Sequence, residues 1–333
     1  MIYLYFIFLI VSNIFFLKNN SLLAKYLQLY DVPSKRKIHK NKVPVLGGCL
    51  VFFNLIIYFI FINTDFLYFN ISYFQNIKLF NIFFLFAFSF FFLGIIDDKI
   101  DLNPNLKLIF SIVLLSLLMG IDNQFLIKDI RSIIFDKVFY LGKFSYFFSI
   151  LCILLFLNAL NMFDGINLQT SIYSISIIFY LFINNIFDLF IITILVSLIF
   201  FTLLNYKNLS FLGDSGTMLI AFIFSCIFIK LYNIENTFFV EQIFLVMSLP
   251  GLDMFRLFLN RLFKKKNPFK ADKNHIHHIL IYRFGFVRAL IIIQSLIIIP
   301  FFLISFIPIL ILLFIQLMAY ILILFIPKKK FFN

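Results

Sequence analysis

Long apolar runs, broken by short polar connectors, repeat along the whole chain. Eleven of them approach the ~20 residues that a helix needs to cross a bilayer. They cover roughly 1–17, 44–62, 79–96, 106–121, 145–160, 169–184, 186–204, 216–232, 238–258, 287–306 and 308–326. The first run has no basic leader and no small-residue cleavage site, so it reads as a retained span, not a signal peptide. The longest connector between spans, 122–144, mixes IDNQFLIKDIRSIIF with aromatic residues and suggests a surface hairpin or short helix. No internal repeat is visible, which argues against an inverted-repeat transporter.

The unusual polar residues fall on alternate connectors: DVPSKRKIHKNKVPVLGG, DDKIDLNPN, NALNMFDGINLQ, NYKNLSFLGDSGT and PGLDMFRLFLNRLFKKKNPFKADKNHIHHIL. With the N-terminus outside, these connectors and the C-terminal IPKKKFFN face the cytoplasm. That choice places 22 of the 28 Lys and Arg residues inside, so the positive-inside rule selects it. The expected fold is an all-α polytopic membrane protein of about 11 transmembrane helices. It forms a single domain over 1–333, its C-terminus is cytoplasmic, and its active site is built from cytoplasmic loops.

Composition supports this. The chain is 63% hydrophobic, against about 45–50% in soluble domains, and its mean hydropathy is +1.06. A soluble fold would leave large apolar patches in water. The net charge of +13 could suggest nucleic acid. In a membrane protein it reads instead as loops held against anionic membrane lipid, with no nucleic-acid partner. Cys49, Cys152 and Cys226 all lie in apolar runs and read as packing residues, giving neither a disulfide framework nor a zinc pattern.

The stretch FFLGIIDDKIDLNP, residues 91–104, poses the sharpest problem. Asp97 and Asp98 end an apolar run, where a helix C-terminus disfavours anions by up to about 1 kcal/mol. Asp164 and Asp214 stand at similar membrane boundaries. Carboxylates from separate spans would repel if brought together, and a shared divalent cation would remove that repulsion. Magnesium fits best, because it takes oxygen ligands and leaves positions for phosphate and water; manganese is the alternative ion. Asn103-Pro104 marks the end of the preceding helix, with Asp101 or Asn103 capping the next. Lys35, Arg36 and His39 in one loop, and Arg256 with His275, His277 and His278 in another, suit phosphate groups. The histidines could instead bind zinc, although no Cys or nearby acid completes a tetrahedral set. Lys264, Lys265 and Lys266 read as lipid-surface anchors.

Taken together, five motifs resemble the polyprenyl-phosphate N-acetylhexosamine-1-phosphate transferases, glycosyltransferase family 4. They are DVPSKRKIHKNKVPVLGG at 31–48, DDKID at 97–101, NALNMFDGIN at 158–167, LGDSG at 212–216 and PFKADKNHIHH at 268–278. The histidine motif resembles the branch acting on UDP-N-acetylglucosamine and undecaprenyl phosphate more than the peptidoglycan branch. The resemblance implies a magnesium-dependent transfer of sugar 1-phosphate from a UDP-sugar to polyprenyl phosphate with release of UMP. That would be the first membrane step of a cell-envelope polysaccharide, and a homodimer is the assembly common in the family.

Carried over by position, Asp97, Asp98 and Asp214 would be metal-binding and catalytic, and His278 catalytic. Lys35, Arg36, His39, Asn158, Asn161, Asp164, His275 and His277 would bind substrate, and Arg256, from its charge, and Asn167, within the motif, are further substrate-binding candidates. One departure bears on recognition of nucleotide or sugar: the usual D-G-x-D-G-L reads Asp164-Gly165-Ile166-Asn167-Leu168 here. Thr217 stands where Ser is usual. The rival classes are a polyprenyl-sugar transporter, for which Glu241 and Asp253 in the ninth span would be the relevant charges, and a non-catalytic relative.

Overall fold

The computed structural model describes residues 2–33, 41–68, 71, 73–235, 237–265 and 274–325. The described residues are mostly helical. The long helices are α1 (Ile2–Leu27), α2 (Gly47–Asn63), α3 (Ile77–Ile100), α4 (Pro104–Ile121), α5 (Ser145–Phe163) and α6 (Gln169–Ile183). They continue with α7 (Leu189–Tyr206), α8 (Gly213–Lys230), α9 (Val240–Phe263), α11 (Phe286–Leu303) and α12 (Ile309–Phe325), and the short α10 (Ile276–Phe284) lies between α9 and α11. Eight helices among the described residues are long and apolar enough to cross a membrane, and α2, α6 and α12 are shorter apolar helices. The 15 residues of α6 reach only about 22 Å at 1.5 Å per residue, less than the ~30 Å hydrocarbon core. Helix α10 has no counterpart among the apolar runs, because its nine residues carry the histidine motif and not a membrane-length stretch.

Helix α8 is the axis of the bundle. Every residue from Ser215 to Lys230 is buried, as expected of a helix that is apolar all round. Small residues let its neighbours approach closely. A Cβ on Gly94 of α3 would meet the Ser215 backbone at 2.4 Å, and one on Gly48 of α2 would meet the Gly216 nitrogen at 2.4 Å. Polar pairs tie the periphery. Asn13 and Asn54 exchange side-chain amide bonds of 2.7 and 3.0 Å between α1 and α2, and the Tyr5 hydroxyl bonds that of Thr193 on α7.

Two small sheets complete the fold. β1 (Tyr30–Asp31) pairs with β2 (Val43–Pro44), with Tyr30 opposite Pro44. The adjoining chain is laced to the segment entering α8: Gly47 N donates to Phe211 O, Gly48 N to Leu212 O and Phe211 N to Pro44 O, each at 2.9 Å. β3 (Asp129–Ser132) and β4 (Lys137–Tyr140) form an antiparallel hairpin with Asp129 opposite Tyr140, so the 122–144 connector is a hairpin.

The α3–α4 corner answers the question that DDKIDLNP poses. Asp101 ends α3 in a left-handed conformation, φ 51°, its N–H donating to Asp97 O. Asn103, not Asp101, caps α4, accepting from Asn105 N, with Pro104 in the first turn.

Candidate functional site

Asp97 and Asp98 leave α3 in different directions. Asp98 turns both carboxylate oxygens to the N-terminus of α8, accepting from Asp214 N at 2.8 Å and Ser215 N at 3.0 Å. This supplies the stabilisation that two acids at a helix C-terminus require, because an anion at the start of a neighbouring helix is favoured. Gly213 permits the approach: its φ is 77°, and a Cβ there would lie 2.7 Å from Asp98 Oδ2.

Asp97 accepts from Leu102 N at 2.7 Å through Oδ1 and from Lys107 Nζ at 2.6 Å through Oδ2. Lys107 also donates to Asp214 Oδ2 at 2.5 Å. The other Asp214 oxygen accepts from Asn161 Nδ2 at 2.7 Å, and that amide also reaches Thr217 Oγ1 at 3.1 Å. Side chains from α3, α4, α5 and α8 therefore meet around one ammonium group. A small cleft beside them is lined by Lys107, Ser111, Asn158 and Asn161. Asn158 spends its amide on Leu154 O at 2.8 Å.

The structure brings Asp97 and Asp214 to a common cation position and assigns Asp98 to holding the α8 turn that presents Asp214. Among the described residues no three His, Cys, Asp or Glu side chains close on one point. The donor set still fits magnesium, which is bound through one or two carboxylates with phosphate and water completing its shell. The Lys107 ammonium occupies the place between Asp97 and Asp214 where such an ion would be held.

A second cluster joins α9, α10 and α12. Asp253 accepts from Arg256 Nη2 at 2.8 Å, from the Tyr320 hydroxyl at 2.9 Å and from Ile276 N at 3.2 Å, and its other oxygen lies 2.9 Å from His275 Nδ1. Arg256 also donates to Tyr320 Oη at 2.7 Å and to Asn274 O at 2.6 Å. Arg256 and His275, expected to bind substrate, are thus fixed by Asp253 at the entry to α10. His277 is buried, and among the described residues neither ring nitrogen has a hydrogen-bond partner. Burial pushes its protonation down to about 3, with His278 and His275 adding to the effect, so it is neutral near pH 7. The His278 ring lies 4.3 Å away, centroid to centroid.

Asp164 and Gly165 link the two clusters. A Cβ on Gly165 would fall 2.1 Å from His277 Nε2, so the chain packs flat on that ring. Burial, with the Asp214 charge adding to it, pushes the Asp164 carboxyl up to about 7. Asn167 is turned away: its amide donates to Asn205 O at 2.9 Å and Asn208 Oδ1 at 2.6 Å, at the end of α7. Its neighbour Leu168 is left-handed, φ 68°, and donates its N–H to Asn205 Oδ1 at 2.6 Å. Lys35, Arg36 and His39 lie outside the described residues.

Three residues that the motif reading did not place at the site are Lys107, Asp253 and Tyr320. Lys107 carried a usable signal: it is a lone cation inside an apolar helix that begins a few residues after the acidic pair. Asp253 and Tyr320 are isolated polar positions in apolar helices, and only the packing of α9 against α12 joins them.

Residues 80–232 match the model of glycosyl transferase family 4, a segment that contains Asp97, Asp98, Lys107, Asn161, Asp164 and Asp214. The chain is 27% identical over 272 residues to the undecaprenyl-phosphate alpha-N-acetylglucosaminyl 1-phosphate transferase of Yersinia pestis, covering 78% of this chain and 70% of that protein. It is 26% identical over 294 residues to the protein of the same name from Salmonella typhi, covering 84% and 76%. For the protein of that name from Thermotoga maritima the identity is 27% over 279 residues, covering 83% and 80%. Residues 80–232 thus carry the pattern of glycosyl transferase family 4, and the similarity to these transferases extends along most of the chain.

Proposed function

We propose that the chain transfers a sugar 1-phosphate, foremost N-acetylglucosamine 1-phosphate, from a UDP-sugar to polyprenyl phosphate and releases UMP. The observation that carries this reading is the convergence of Asp97 and Asp214, from separate helices, on one cation position at one end of the bundle. The names of the relatives point to the same chemistry. The count of Lys and Arg orients that end toward the cytoplasm of a multi-pass inner-membrane protein.

A phosphate oxygen of the lipid forms a bond to the β-phosphorus of the donor. The bond from that phosphorus to the bridging oxygen breaks, and UMP leaves with the electron pair. The nucleophile is already anionic, which favours direct displacement over an aspartyl-phosphate intermediate. Positioning and charge stabilisation carry most of the work in such transfers. Asp97 and Asp214 would hold a divalent cation, which when bound neutralises charge building on the diphosphate. Lys107, displaced from the two carboxylates, donates to phosphate oxygens. Asn161 holds the Asp214 carboxylate in place, and Asp98 fixes the turn that presents it. The neutral His277 ring, with two unmet ring nitrogens beside Gly165, offers a contact for the donor.

Glu241 and Asp253, the charges a transporter would use, are spent in local networks: Glu241 bonds the Ser132 hydroxyl and Ile133 N, and Asp253 the α10 entry. The test is UMP release from a panel of UDP-sugars with and without polyprenyl phosphate and magnesium. The reading expects release that requires all three components. Release without the lipid acceptor would contradict direct displacement, and no release with any sugar would contradict the transferase reading.

A further inference from the structure

The end of the bundle opposite the Asp97–Asp214 site carries a second built feature. Residues 122–144 join the far ends of α4 and α5, and they do not form a loose loop. Lys230, fully buried at the end of α8, donates to Asp122 Oδ2 and Gln124 Oε1, each at 2.5 Å. Asn233 donates to Gln124 O at 2.6 Å and Leu126 O at 2.9 Å. Glu241 accepts from Ile133 N at 3.1 Å, and the Arg131 guanidinium lies 3.9 Å over the Tyr232 ring. The hairpin is thereby fixed against α8 and α9.

Between this hairpin and the start of α5 lies an open groove of about 480 Å3, lined by Lys128, Tyr140, Lys143, Ser145 and Tyr146. Its walls are hydrogen-bonded in place. Leu141 N donates to Lys128 O at 2.9 Å, Ser145 Oγ to Ile127 O at 2.6 Å, and the Tyr146 hydroxyl to Ser116 O of α4 at 2.6 Å. The charges around it are unbalanced. Asp122 is spent on Lys230 and Asp129 on Arg131, and the exposed Asp136 lies in the hairpin turn next to Lys137, which leaves Lys128 and Lys143 in excess. Lys128, Lys137 and Lys143 are exposed, and among the described residues none makes an ion pair. Apolar side chains surround them: Phe135 is 67% exposed, Phe144 51% and Phe147 58%. Beside the Ser116–Tyr146 bond, Leu117 on α4 and Leu151 on α5 are exposed.

We propose that this groove binds an anionic phospholipid of the leaflet opposite the catalytic site, its phosphate between Lys128 and Lys143 and its acyl chains along α4 and α5. The charge fits an anion. The aromatic rim fits the headgroup level of a bilayer, where amphipathic rings collect, and the apolar helix faces below fit the lipid tails. A lysine beside an anionic lipid surface contributes about a fivefold preference, so the pair should favour an anionic headgroup by tenfold or more.

The test is native mass spectrometry of the full-length chain, titrated with phosphatidylglycerol or phosphatidylcholine in non-ionic detergent. The wild type should retain one phosphatidylglycerol with at least tenfold preference. The double variant K128Q/K143Q should lose that preference, K128R/K143R should keep it, and K78Q, which removes an exposed far-face lysine outside the groove, should keep it too. The thermal midpoint of K128Q/K143Q should stay unchanged, since both side chains are exposed. Excess inorganic phosphate should compete only weakly, because it has no tails to bury. Equal retention of the two lipids by the wild type, or a preference that survives K128Q/K143Q, would overturn the proposal. UMP release is a separate readout, and its failure would leave this result standing.

Discussion

Replacing Lys107 with Met keeps the aliphatic stem and removes the ammonium that separates two carboxylates. Both oxygens lie within 2.6 Å of the same nitrogen, so they are at most about 5 Å apart. Two like charges at that separation repel by about 3 kcal/mol at an effective dielectric of 20. Asp214 is 34% exposed, and solvent screening lowers the expected loss to about 2 kcal/mol. Thermal unfolding in detergent without divalent ions should therefore show K107M clearly below the wild type. Magnesium should restore most of the loss, because an ion at 100 times its dissociation constant stabilises by about 2.7 kcal/mol. The wild type must first displace its own ammonium, so its midpoint should rise less with magnesium than that of K107M. K107M as stable as the wild type without metal, or midpoints moved equally by magnesium, would refute a cation position shared by Asp97 and Asp214.

Three further outcomes follow from the same geometry. Asp98→Ala leaves Asp214 N and Ser215 N without their acceptor, so it should cost about 1–2 kcal/mol as a lost helix cap, measured by thermal unfolding, and lower turnover without abolishing the magnesium response. Leu168→Gly removes a half-buried side chain from a left-handed position that costs about 1–2 kcal/mol. Set against the added freedom of glycine, it should raise stability by up to about 1 kcal/mol, read as a higher midpoint in the same assay. His277 protonates near 3 when folded and near 6.5 when unfolded, so its contribution to stability is complete above 6.5 and is lost as pH falls toward 3. Between pH 6.5 and 5 the loss should be about 2 kcal/mol, and His277→Asn should flatten that limb of the midpoint-versus-pH curve.

The apolar runs were legible because a bilayer demands long stretches without charge, and each of the eleven runs coincides with an apolar helix. Short elements were not, since nothing in the hydropathy of IHHILIYRF distinguishes α10 from a polar loop. Asp97, Asp98 and Asp214 were legible as candidates because acids are scarce in this chain and these three stand at membrane boundaries. The division of labour between Asp97 and Asp98 was not. Adjacent residues at a helix end point in different directions, and only the position of the α8 N-terminus decides which carboxylate becomes its cap. Lys107 escaped for a related reason: its partners lie on α3 and α8, and Asp214 is 107 residues away in sequence. Asn167 shows the reverse case. A motif position suggested substrate contact, whereas its amide is held by the end of α7.

Asp97 and Asp214 are proposed to share one cation position that serves phosphoryl transfer. The most direct measurement of this is magnesium-dependent UMP release by purified Asp214→Asn, with Asp97→Asn beside it and folding checked by thermal midpoint. Both folded variants should lose turnover by at least a hundredfold. Turnover near the wild-type rate in folded Asp214→Asn, with an unchanged magnesium requirement, would contradict it.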